Sequence, residues 1–138
     1  MPDPRLETLA CALVLLSIGL ASGAAFAADA ERGGRLYVRA ECGDCHGPTG
    51  QGDGPVGLAL EAVGRPPGNW TDPSSFDLDT DDDGRTGTNR DLANVIRRGA
   101  LVYGGSQMMG PTKGLSDDDL ADLVAYIRAL SARPNARN

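Results

Sequence analysis

The chain contains one histidine, His46, and one lysine, Lys113. A site built on two imidazoles is therefore excluded. If His46 is committed to a metal, no histidine is left for acid–base catalysis. Aromatic residues make up only 4% and apolar residues 41% of the 138 residues, thin material for the core of a domain this size. Acidic residues outnumber basic ones by 19 to 13, giving a net charge of −6. With no basic stripe and no aromatic platform, a nucleic-acid partner is not expected. Internal repeats and strand-like alternation of useful length are missing as well. The longest apolar run, Leu9 to Leu20, is too short for an ordinary membrane span.

That run does have a use. A short lead with Arg5, the apolar stretch and the A-x-A pattern at Ala25-Phe26-Ala27 form a secretory signal layout. The expected organisation is a leader over 1–27, one domain over 28–131 and a frayed tail over 132–138. The protein would be exported, to the periplasm or an equivalent compartment, without a membrane span once the leader is cleaved. An uncleaved leader would instead anchor it. Cys11 belongs to the leader, so the exported chain keeps two of its three cysteines and carries 17 acidic against 12 basic residues.

Those two cysteines stand in Cys42-Gly43-Asp44-Cys45-His46, a C-x-x-C-H run. This is the attachment spacing of a c-type haem. Two thiols this close can each add to a vinyl group of one porphyrin, and the next residue offers an imidazole to the iron. The other ring nitrogen of His46 then needs an acceptor, often a backbone carbonyl, and Pro55 in the Gly54-Pro55 turn is a candidate source. A disulfide between Cys42 and Cys45 would close a ring too small to constrain much of the unfolded chain. A thiol–disulfide enzyme would need a βαβ pattern that is missing here.

With one histidine, the second iron ligand must be another residue type. Methionine sulfur suits an electron carrier, and Met108 and Met109 sit together in the loop 99–114 (GALVYGGSQMMGPTKG). Lys113 is a formal alternative that would have to bind as a neutral amine. An open sixth position, suited to a haem sensor or peroxidase, is a further possibility.

The pattern around these residues is all-α: three or four helices joined by long loops, of the kind that need something to wrap around. Residues 28–40, 90–98 and 116–131 read as helices. The last carries Leu120, Leu123, Val124, Ile127 and Leu130 on one stripe, with Ser116 and Asp119 as a capping box. The Gly- and Pro-rich stretch 47–75 should hold little beyond a short turn around 58–63. Within it, Trp70 is expected to pack on the haem, to bond a propionate through its indole N–H, or to line the rim of a small core. Asp79, Asp81 and Asp83, followed by Gly84, match the opening of a calcium loop, although position twelve is Arg90 rather than Glu. Calcium in loop 79–91, or a solvated acidic surface, are the two readings.

Taken together, G-R-L-Y before the cysteines, C-G-D-C-H-G-P-T-G-Q-G-D-G-P, Y-G-G-S-Q-M-M-G-P and the final helix resemble the class I c-type cytochromes (the mono-haem cytochrome c family) over residues 30–131. The resemblance implies a small exported electron carrier, with one covalent haem c and His/Met ligation, that docks briefly on redox protein partners. The same domain also serves as an electron-accepting subunit of dehydrogenase complexes. It implies that the first and last helices cross, with Gly33 or Gly34 and Tyr37 against Leu123, Tyr126 and Ile127. In the family the axial methionine usually stands just before a proline. That favours Met109 over Met108, although Gly110 separates Met109 from Pro111.

Overall fold

The computed structural model describes residues 27–133. Residues 1–26, which hold Cys11 and all but the last residue of the leader expected over 1–27, and residues 134–138 of the expected tail lie outside the described residues. The described residues form five α-helices: α1 Ala30–Arg39, α2 Cys42–His46, α3 Pro55–Ala62, α4 Asn89–Arg98 and α5 Asp117–Ser131. Short 3₁₀ turns occupy Pro73–Ser75 and Leu101–Tyr103, and no strand occurs among the described residues. The fold is all-α, as expected, with more helix than the three or four elements read from the sequence.

Each main helix starts where its chemistry says it should. Asp29 caps α1, accepting from the backbone N–H of Glu31 and Arg32. Thr88 and Asp91 form a capping box on α4, and Ser116 and Asp119 form one on α5. The two extra helices are α2, which is the C-x-x-C-H motif itself, and α3, where only a turn was expected. Pro55 occupies the first turn of α3, where its missing N–H costs nothing. α3 lies tightly against α2: a Cβ on Gly57 would stand 2.1 Å from the Cys45 carbonyl oxygen, and one on Gly54 would stand 2.3 Å from that of Asp44.

The core is one cluster. Leu36 and Tyr37 of α1, Trp70, and Ile96 of α4 pack against Leu120, Leu123, Val124, Ile127 and Leu130 of α5. All five residues of the expected α5 stripe are buried, each contributing about 1.5–3 kcal/mol of transfer free energy. α1 and α5 form the main crossing. The Gly33 backbone meets the Asp122 carbonyl of α5 there, and Tyr37 lies 5.3 Å from Tyr126, ring centre to ring centre. The buried Asp122 carboxylate accepts from Asp29 N at 2.6 Å and from Arg32, which also bridges to Asp119.

The long loops are tied to α5 as well. Arg128 sits over the Phe76 ring, 4.9 Å from its centre, and donates to the Gly87 carbonyl. Ser131 donates to the Trp70 carbonyl. Among the described residues, no helix is long and apolar enough to cross a membrane.

Candidate functional site

α2 places its side chains by helical spacing. Cys42 and Cys45 are one turn apart, so both thiols can face the same side. They are not joined to each other, both are half-buried, and both line a cavity of about 440 Å³. Burial, with a smaller contribution from neighbouring Cys45, pushes the Cys42 thiol up to about 11, although a backbone hydrogen bond pulls the other way. A thiol–disulfide enzyme needs the opposite, a thiolate near neutral pH.

His46 closes α2, is buried, and lines the same cavity. Its Nδ1 lies 3.2 Å from the Gly68 carbonyl oxygen. Burial lowers its pKa, while the bond to Gly68 works in the other direction. Because a carbonyl oxygen can only accept, Nδ1 is the donor to Gly68, which leaves Nε2 as the ring nitrogen available to a metal. This corrects the expected acceptor. The Pro55 carbonyl belongs to the first turn of α3, and the partner is instead Gly68, from a loop that returns past the histidine.

The methionine loop is pinned back onto α4. Ala100 N donates to Met109 O at 2.9 Å, and Thr112 N donates to Ile96 O at 2.8 Å. Both methionines line the cavity, but only Met109 packs against the core, whereas Met108 is 48% exposed. Leu92, Val95, Ile96, Leu123 and Ile127 give the cavity an apolar lining. Trp70 lines it too, and its ring lies against His46, centroids 3.9 Å apart. No sequence signal pairs residues 46 and 70. Lys113 is exposed on the surface.

Chemically, the cavity offers two cysteine thiols, one imidazole with its Nδ1 occupied by Gly68, two thioethers of which that of Met109 is the more buried, and largely apolar walls. That donor set fits a covalently held haem. It also answers the shortage of core residues, because a flat apolar group would fill a space the chain does not fill itself.

The acidic loop resolves differently from its sequence pattern. Asp79 and Asp81 do come together, but their third neighbour is Asp91 rather than Asp83. Asp83 turns outward to Arg85, and Asp81 pairs with Arg90 while keeping Oδ1 buried without a partner. Asp91 is 2% exposed and accepts from the N–H and hydroxyl of both Thr80 and Thr88. It therefore braces the loop against the start of α4, and a calcium ion would have to displace those donors. The T-x-x-D capping box was the readable signal for this role.

Burial alone would raise the Asp91 pKa, but the donors from Thr80 and Thr88 outweigh it and hold the carboxyl at about 2. A depressed folded pKa stabilises above the unfolded value near 4 and loses that contribution as pH falls toward 2. Asp91→Asn should therefore cost about 2 kcal/mol at neutral pH, from the lost acceptor and the strained brace. In thermal melts, the gap between variant and wild type should narrow as pH falls from about 4 to about 2.

A family model described as cytochrome c matches residues 30–131 of the chain. No curated protein and no solved structure matches it.

Proposed function

The chain belongs to the cytochrome c family, a family of haem-binding electron-transfer domains, and from that membership we propose that it is an exported mono-haem carrier of single electrons with His46 and Met109 as the axial ligands. The observation that carries this reading is that Cys42, Cys45, His46 and Met109 all line one largely apolar cavity. When bound, the haem supplies the one-electron couple.

The chain's own residues do the rest. Cys42 and Cys45 would hold the haem through thioethers, each S–H adding across one vinyl double bond, an addition that needs no oxidant. Gly68 holds the Nδ1 proton of His46 and leaves Nε2 for the iron. Met109 supplies a soft neutral sulfur, which raises the reduction potential relative to a second imidazole. With haem filling the cavity, the apolar lining would limit water near the iron and so disfavour the more highly charged oxidised state. Lys113 is exposed on the surface and does not line the cavity.

The acidic balance of the exported chain, 17 acidic against 12 basic residues, favours brief docking on a positively charged redox partner. Its rate of reduction by such a partner should fall as salt is added.

The ligand assignment is tested by two variants. Met109→Leu should abolish the sulfur-to-iron charge-transfer band of the oxidised protein and lower its reduction potential. Met108→Leu should leave both in place, because that side chain is largely in solvent. Loss of the band in Met108→Leu alone would reverse the assignment. Rapid carbon monoxide binding by the reduced wild type would mark an open iron instead.

A further inference from the structure

One stretch of backbone addresses the His46 ring twice. The Gly68 carbonyl meets its edge at Nδ1, and two residues later the Trp70 indole lies on its face, with centroids 3.9 Å apart and planes 17° from parallel. The two contacts do different things. A single hydrogen bond fixes the tautomer but lets the ring rock about the N–H···O line. A flat surface against the ring removes that freedom.

The indole is itself held. It is 8% exposed, and Tyr37 meets it with centroids 5.6 Å apart and planes at 66°. Trp70 N donates to Gly50 O at 2.6 Å, and the Trp70 carbonyl accepts from Ser131 of α5. Tyr37 in turn donates its hydroxyl to the carbonyl of Gly47, the residue after His46, at 2.6 Å. His46, Trp70, Tyr37 and Gly47 thus form a closed ring of contacts that ties the imidazole to the α1–α5 crossing.

We propose that Trp70 is a positioning residue for the iron ligand, its indole face setting the plane of the His46 imidazole. This rests on the proposed role of His46 as the haem iron ligand. The orientation of an axial imidazole determines which iron orbital holds the unpaired electron of the oxidised state, so a looser ring has a direct spectroscopic signature. A side chain that merely filled space would be replaceable by any apolar group of similar bulk.

The test uses the full chain with haem attached. Trp70→Leu keeps apolar bulk but has no ring plane, and Trp70→Phe keeps a flat face. Electron paramagnetic resonance of the oxidised protein should show the lowest-field low-spin resonance shifted and broadened in Trp70→Leu. Trp70→Phe should bring it back toward the wild-type position, with the sulfur-to-iron band retained in both. An unchanged resonance in Trp70→Leu, or equal shifts in the two variants, would overturn the inference.

Should Trp70→Leu not fold, nuclear magnetic resonance of the wild type decides. Close contacts between indole and His46 ring protons, with one ordering of the haem methyl shifts, are expected. Absence of those contacts overturns the inference. Failure of the ligand assignment looks different: the wild type itself would give no low-spin, histidine-ligated signal.

Discussion

Gly33→Ala is expected to melt far below the wild type, by roughly 15 °C. An added Cβ would stand 2.0 Å from the Asp122 carbonyl oxygen and 2.6 Å from its carbon, with the Cβ of Tyr126 at 2.9 Å. Two of those atoms are backbone of α5 and cannot rotate away, so the helices must separate. Overpacking costs typically ~1–3 kcal/mol and sometimes more, and a rigid backbone obstacle puts this site at the upper end. About 3 kcal/mol corresponds to the melting shift given above for a domain near 100 residues. Separation would also pull Arg32 and Asp29 N away from the buried Asp122 carboxylate, leaving a charge without its partners.

Gly34 is the control. A Cβ there meets only the Tyr126 ring, at 3.1 and 3.3 Å. A ring edge can shift by a few tenths of an ångström, and alanine gains about 0.5–1 kcal/mol of helix propensity over glycine. Gly34→Ala should therefore melt within a few degrees of the wild type. Similar melting of both variants, followed by circular dichroism, would contradict the account of the crossing.

The double variant Cys42→Ala with Cys45→Ala should lose both the haem and the cooperative fold. The thioethers have no substitute: the cavity would have to hold a haem through His46 and Met109 alone. Leaving about 440 Å³ unfilled would cost on the order of 10 kcal/mol if it stayed dry, at ~24 cal/mol per Å³. That is an upper bound, because the cavity is open to solvent and its walls can collapse. It is still comparable to the entire stability of a small domain, ~5–15 kcal/mol. The exported variant should therefore show its bare polypeptide mass and a broad, shallow thermal transition. Retained covalent haem, or a wild-type melt, would contradict this.

How much of this was legible depends on how local each signal is. The α5 stripe was readable because Leu120, Leu123, Val124, Ile127 and Leu130 recur at helical spacing, and all five are buried. The Cys42, Cys45 and His46 constellation was readable because its chemistry is confined to five consecutive residues. Gly33 could be singled out from Gly34 only by the crossing itself, since the two are equivalent in sequence.

α3 was hidden by the glycines and prolines around it. Its close seat on α2 requires Gly57, so the residue that argued against a helix is there for packing. The acceptor for His46 was misplaced at Pro55 because a backbone carbonyl carries no side-chain signature, and Gly68 lies 22 residues away. The acidic loop was misassigned in part: alternation picked Asp83, whereas the capping geometry of α4 draws Asp91 inward. The contact of Trp70 with His46 is likewise tertiary, and composition shows only that the tryptophan exists.

The central claim is that Cys42 and Cys45 hold one haem by sulfur and that His46 ligates its iron. The most direct measurement is the intact mass and optical spectrum of the protein exported from a host able to attach haem. The account predicts the polypeptide mass plus one haem, retained after denaturation, with the spectrum of a low-spin haem whose two vinyl groups are both saturated. A colourless protein at its bare polypeptide mass would contradict it.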